Sequence, residues 1–183
     1  MGRTARLGAD TDAIDLINFL MWQRTHRSFA CGKQFITDHN NGLCSTAVCY
    51  WQQFKQHDEW SNGNPSRGTE RIFIRGAGQD GHTWDGSKFW TLCFEMQYSD
   101  EKLPDAPDGI IGRCLKPALL KPPSDFPVRG PERFLSPDGT LLYTNTHTGD
   151  IHKFTGSEMI VDAGTHHLFW SSTYNGGIVG ELV

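Results

Sequence analysis

The chain of 183 residues has no basic excess: 17 Lys and Arg stand against 21 Asp and Glu, a formal net charge of −4. Nucleic acid is therefore excluded as the expected partner, because phosphate binding needs a concentrated basic surface. No apolar run approaches the ~20 residues needed to span a bilayer. Met1-Gly2-Arg3-Thr4-Ala5-Arg6 lacks the apolar centre of a signal peptide, and Arg6 breaks the myristoylation pattern. The expectation is a soluble protein, secreted without a leader or cut from a longer precursor if it is secreted at all. Cysteine is sparse and odd in number: Cys31, Cys44, Cys49, Cys93 and Cys114. That excludes a framework of bridges and leaves reduced thiols or one disulfide. Metal spacing is missing as well. Cys44, Cys49 and His57 have no second pair at a zinc spacing. Asp100, Glu101, Asp105 and Asp108 lack the calcium-loop spacing and its glycine. No metal and no other cofactor is expected, and there is neither an internal repeat nor a low-complexity segment.

What the chain does have is aromatic residues and glycine: 11 Phe, 6 Trp and 20 Gly. Aromatic strands broken by glycine turns are the natural reading. The length suits one domain over 1–183 with its own core. Residues 10–25 read as a helix. Asp10, Thr11 and Asp12 supply caps and favourable charge, and Ile14, Ile17, Leu20 and Met21 recur at helical spacing. The turn Asp38-His39-Asn40-Asn41-Gly42 follows, and a second helix is expected from Leu43 to Phe54 or Gln56. Leu43, Ala47, Trp51 and Phe54 would form its apolar stripe, with a loop at residues 61–66 ending it.

Beyond this the period changes. Arg71–Arg75 and Phe89–Tyr98 read as strands around a loop at 76–81. Residues 101–132 hold seven of the nine prolines and read as an ordered excursion over the surface, with Gly109–Gly112 touching the core. The last third reads as a β-meander with turns at Ser136–Gly139, Thr155-Gly156-Ser157 and Asn175-Gly176-Gly177. The expected fold class is thus α+β. A helical part at about 1–60 packs on an antiparallel sheet formed mainly by the C-terminal half, the β-rich part being about 70–183.

The sharpest chemical candidate is Cys44. With Asn41 as N-cap, it would be the third residue of the second helix, where free N–H groups and the helix dipole favour a thiolate. Those N–H groups, with Asn41 or Gln34 as further donors, would hold an oxyanion. A thiolate needs a base and a group to orient it. With Gly156 at a hairpin centre, His152 and Asp162 would share a face on the diagonal, ~7–8 Å apart between backbones. His147 is a rival base. So is the pair His166 and His167, of which one at most faces a site, with Asn175 or Glu181 beside it.

A capped turn, a helical cysteine and a β-hairpin carrying His and Asp resemble the papain-like (clan CA) layout. Asn41–Trp51 resembles the nucleophile segment of YopT-type effector proteases. Gly149–Ser157 resembles the His hairpin of NlpC/P60-like and type VI amidase effectors. The resemblance implies a cysteine hydrolase, an effector or toxin, that cleaves an amide or peptide bond. Cys44 would be the nucleophile, His152 the base and Asp162 its partner, and the substrate a protein or peptide. The family patterns are incomplete: Asp150 stands between Gly149 and His152, and the Asp-Pro-Asn turn of the YopT type is absent.

Two other readings come from other residues. Arg129–Thr140 resembles a segment of secreted NAD-glycohydrolase toxins of the tuberculosis necrotizing toxin type, which implies NAD as substrate. Trp60, Trp84, Trp90 and Trp170 with many glycines suit a β-rich carbohydrate- or protein-binding module without catalysis. Trp60 and Trp84, beside Gly and Asn turns, are the pair expected to be exposed.

Overall fold

A computed structural model describes residues 9–74, 88–98 and 109–179. Its centre is one nine-stranded sheet in which every neighbouring pair is antiparallel, in the order β1-β2-β3-β4-β5-β9-β8-β7-β6. The strands are β1 (Thr37–His39), β2 (Cys44–Trp51), β3 (Phe54–Ser61), β4 (Ser66–Ile74), β5 (Lys88–Tyr98), β6 (Arg133–Leu135), β7 (Leu141–Asp150), β8 (Lys153–Asp162) and β9 (Leu168–Ile178). Helix α1 spans Ala9–His26, and a π-helical turn at Ile111–Leu115 runs into the short helix α2, Lys116–Leu119. The class is α+β as expected. The sheet is not chiefly C-terminal, however: five of its strands precede residue 99. No helix among the described residues is long and apolar enough to cross a membrane.

Both covers lie on one face of the sheet. Leu16, Phe19 and Leu20 of α1 pack with Cys49, Phe54, Ile72, Trp90, Leu92 and Phe154. The π turn and α2 put Ile111, Cys114, Leu115, Ala118 and Leu119 against Leu141, Tyr143, Ile160 and Trp170. Helix α1 matches the expected 10–25 in range, since its apolar spacing is local to the segment. Asp10, Thr11 and Asp12 lie inside it rather than before it, and its buried face includes Leu16, Phe19, Leu20 and Gln23, with Ile14 60% exposed. The expected contact of Gly109–Gly112 with the core is present through the buried Ile110 and Ile111.

The expected second helix is instead strand β2, a turn, and the first half of β3. Ser45, Ala47 and Cys49 are buried, while Val48 and Tyr50 are exposed, so the segment has a period of two. β-Branched and aromatic residues at the outward positions (Thr46, Val48, Tyr50) favour the extended chain. Leu43, first residue of the supposed stripe, is 72% exposed. The strand pairs on both sides, with β1 and β3, and those ladders override the helical spacing.

Two expected turns are likewise interior strand. Gly156 sits inside β8, opposite His147 on β7 and Tyr174 on β9. Gly176 sits inside β9, opposite Leu92 and Phe154. Close packing explains both glycines: a Cβ at Gly156 would overlap the Tyr174 ring, and one at Gly176 would overlap the Thr91 carbonyl. The real β7–β8 turn is Ile151-His152, closed by the Asp150–Lys153 pair. The turn at Ser136–Gly139 is as expected, with Ser136 Oγ and the Thr140 N–H both donating to Asp138 Oδ1. The loop at 76–81, Trp84, Glu181 and the acidic group Asp100, Glu101, Asp105 and Asp108 lie outside the described residues.

Candidate functional site

The residues expected to form a thiol site are not brought together. Cys44 opens β2 and has the opposite parity to the buried Ser45, so it lies on the face away from both covers. No helix follows it, and the N-terminal dipole and N–H groups invoked for it do not exist. Asn41 is no N-cap: it sits in a short 3-10 turn with a left-handed backbone, φ 56°. His152 is an exposed turn residue whose backbone N–H donates to Asp150 Oδ1. Asp162 ends β8, where its carboxylate accepts from the N–H groups of Gly164 and Thr165 and from the Thr165 hydroxyl. His152 and Asp162 therefore stand at opposite ends of one strand of ten residues, roughly 30 Å apart at the usual rise per residue.

The rival bases are placed elsewhere too. His147 stacks on Phe126 at 3.9 Å. His166 takes a left-handed backbone, φ 61°, in the β8–β9 turn, and His167 packs edge-on against Phe169. The histidine that does meet Cys44 is one the sequence reasoning passed over. His39 is the direct partner of Cys44 in the β1–β2 ladder. Its Nε2 contacts Thr46 Oγ1 at 2.9 Å, and the Cys44 thiol accepts from Asn40 Nδ2 at 3.8 Å.

The covered face of the sheet holds a different kind of site. Between the end of α1 and the π turn lies a cavity of about 900 Å³, floored by β2 to β5. Its walls include Phe29, Trp60, Phe94, Met96 and Tyr98, and its polar lining includes Arg24, Asp38, Asp58, Glu70 and Arg129. Strand parity puts the acids there. In Phe54–Ser61 the buried positions are Phe54, Gln56, Asp58 and Trp60. Asp58 pairs directly with Glu70 on β4, which is also buried. Two carboxyls thus stand side by side on the floor.

Two arginines come down onto that floor from above. Arg24, in the last turn of α1, meets Glu70 Oε2 at 2.7 Å. Arg129 donates twice to Glu158 Oε2, at 2.9 and 2.6 Å. Tyr143 donates to the other Glu158 oxygen at 2.5 Å, and Arg129 lies 5.9 Å from the Phe94 and Tyr174 rings. Burial works against the Arg129 cation, but the charge and hydrogen bonds of Glu158 outweigh it and hold its pKa above the ordinary value. Tyr174 donates to Asn145 Oδ1, whose amide in turn donates to the Gly130 carbonyl. On the Glu158 side both carboxylate oxygens are therefore taken, although the buried Ser172 hydroxyl opposite Glu158 on β9 has no partner among the described residues.

On the Asp58 side two carboxyl oxygens are not taken. Asp58 is 8% exposed and Glu70 2%. Asp58 Oδ1, Glu70 Oε1, Arg24 Nε and Gln56 Nε2 are buried without a hydrogen-bond partner among the described residues. Such atoms cost roughly 1–3 kcal/mol each when left so, which marks a place where a ligand or water belongs. Burial first, then the charge of Glu70, raises the Asp58 carboxyl to about 8, against the opposing pull of Arg24 and Arg129. Asp58 thus carries a proton at neutral pH. No group of three metal-ligating side chains occurs among the described residues.

Trp60 and Trp84 were the expected exposed tryptophans. Trp60 is instead buried, at 8% exposure, where it lines this cavity and meets Phe29 edge-on at 5.8 Å. The segment expected to mark an NAD-consuming toxin is divided: Arg129 is a buried partner of Glu158, while Asp138 makes a surface ion pair with Arg113. Nothing in the sequence singled out Asp58 or Glu70, since strand parity reveals them only once the strands are known.

No curated protein and no solved structure matches the chain. A profile of the family described as "Domain of unknown function (DUF5680)" matches residues 73–179, from the end of β4 through β9. That span is more than half of the 183 residues and carries Arg129 and Glu158. The chain belongs to the DUF5680 family of domains.

Proposed function

We propose that the protein is a carbohydrate-binding module that takes a small saccharide into the cavity between α1 and the π turn and does no chemistry on it. One observation supports this reading above the others. Asp58 and Glu70, with unpartnered carboxyl oxygens, lie beside the aromatic walls Trp60, Phe94 and Tyr98 in a cavity of about 900 Å³. A volume of that order suits a small ligand rather than a protein surface, and a mainly apolar lining with a few convergent polar groups is what such pockets use. Aromatic rings take the C–H face of a sugar, and carboxyls and guanidinium groups take its hydroxyls.

The test is calorimetric titration with mono- and disaccharides, before and after treatment with iodoacetamide. Binding that survives alkylation and falls at least ~10-fold in Trp60→Ala supports the module. A panel in which no sugar binds sinks it. One observation favours a second reading: the cross-strand pairing of Cys44 with His39. A cysteine hydrolase in this chain would use that pair, not His152 and Asp162. Amide hydrolysis lost in both Cys44→Ala and His39→Ala, and kept in His152→Ala, would favour it.

A further inference from the structure

Resting on that reading, we propose that the cavity selects a ligand bearing a primary ammonium group, such as an amino sugar, and seats the ammonium between Asp58 and Glu70. The fixed charges point this way first. Asp38, Asp58 and Glu70 line the cavity with Arg24, Lys116 and Arg129, and Glu158 is bonded to Arg129. Formally that is four acids against three bases: the set is balanced while Asp58 holds its proton and one negative charge in excess once Asp58 ionises. Glu158 accepts from Arg129 and Tyr143, and Glu70 Oε2 accepts from Arg24. The acceptors left over are Asp58 Oδ1 and Glu70 Oε1.

They belong to residues directly opposite one another on β3 and β4. In an antiparallel pair such residues have Cβ atoms ~5 Å apart, close enough for one group to bridge both side chains. An ammonium supplies three N–H donors and the positive charge that lets Asp58 ionise beside Glu70. A hydroxyl supplies one donor and no charge. The cations that line the cavity leave these two oxygens untaken: Arg24 bonds the other Glu70 oxygen, Arg129 is paired with Glu158, and the Lys116 ammonium lies 4.6 Å over the Phe29 ring.

Asp58 then has two states. Empty, it is protonated, because burial and Glu70 disfavour a second anion there, with its pKa near 8. With an ammonium beside it, the anion is favoured and the proton leaves to solvent. The charged or titratable groups facing Asp58 are Glu70 from β4, Arg24 from α1, Arg129 from the segment before β6, Asp38 from β1, Lys116 from α2 and Tyr98 from β5. Below pH 8 each bound cation therefore displaces about one proton. Affinity rises by up to ~10-fold per pH unit from 6 to 8 and levels off above that.

The test uses the full chain and three probes: methyl glucoside, the same glucoside with a primary amine in place of its terminal hydroxyl, and benzylamine. Titration at pH 7 in two buffers of different ionisation enthalpy reads both affinity and protons released. The expected result is at least ~10-fold tighter binding of the amino glucoside than of its parent, with nearly one proton released. Asp58→Asn abolishes both the preference and the release. Methyl glucoside binding as tightly as the amine, or the amine binding with no proton released, overturns the ammonium site and leaves the saccharide reading standing. Benzylamine bound with proton release while neither glucoside binds supports the ammonium site and overturns the saccharide reading. Silence from all three overturns both. If Asp58→Asn fails to fold, the pH series on the unaltered chain decides between the same outcomes: affinity for the amine that climbs from pH 6 to 8 supports the site, and a flat profile overturns it.

Discussion

Replacing Asp58 by Asn tests the interior of this protein through its stability. The carboxyl has an ordinary value of 3.8 when unfolded and about 8 when folded. The folded state therefore binds the proton more tightly. Stability from this group is fully present below pH 3.8 and is lost as pH rises through about 8. At about 1.4 kcal/mol per unit, the full loss is on the order of 6 kcal/mol. Asn has the shape of the protonated acid and does not titrate. At pH 4 the two proteins should unfold within about 1 kcal/mol of one another. Between pH 5 and 8 the variant should gain steadily on the wild type, until it is several kcal/mol more stable at pH 9. Urea unfolding at pH 4, 6, 8 and 9, compared pairwise so that other titrations cancel, measures the difference. A constant difference across that range would contradict the buried, protonated carboxyl, because Asp58 would then have the same proton affinity folded and unfolded.

Other perturbations follow from the packing. Gly156→Ala places a methyl group into the Tyr174 ring and disturbs its bond to Asn145; a loss of about 2 kcal/mol, or roughly 4–8 °C in Tm, is expected by calorimetry. Phe19→Ala empties the centre of the α1 cover, where Phe19 stacks 5.0 Å from Phe54, and should cost ~3–5 kcal/mol in denaturant unfolding. Burial pushes the Cys49 and Cys114 thiols up to about 12, whereas Cys93 is exposed. Iodoacetamide at pH 8 should thus label Cys93 first and leave Cys49 and Cys114 untouched until urea is added, as read by peptide mass mapping. Labelling of Cys44 well below pH 8, faster than Cys93, would instead favour the thiol reading.

The elements legible in the chain are those whose causes are local. Helix α1 has its apolar spacing and the basic residues of its last turn, Arg24 and His26, within its own 18 residues. The Ser136–Gly139 turn is held by bonds among its own side chains and the next residue. The segment 43–56 misled because Leu43, Ala47 and Trp51 satisfy a helical period, while alternation in Ser45–Tyr50 satisfies a strand period. Choosing between them took the β1 and β3 ladders. Gly156 and Gly176 misled for a related reason: glycine beside Ser, Thr or Asn signals a turn, yet these two make room for Tyr174 and for the Thr91 carbonyl on neighbouring strands.

The α+β class, the first helix, several of the strands and the lack of a basic excess were all readable from the residues alone. Each depends on composition or on neighbours within a few positions. The location of the chemistry depends on contacts between distant segments, and it emerged with the fold. Strand pairing took Cys44 off a helix, set His152 and Asp162 at the two ends of β8, and put Asp58 beside Glu70 beneath Arg24. Asp58 and Glu70 are 12 positions apart and Arg24 and Glu70 are 46 apart. Their meeting is a product of the β3–β4 ladder and the cover of α1, and burial next to Glu70 turned an ordinary aspartate into a proton carrier.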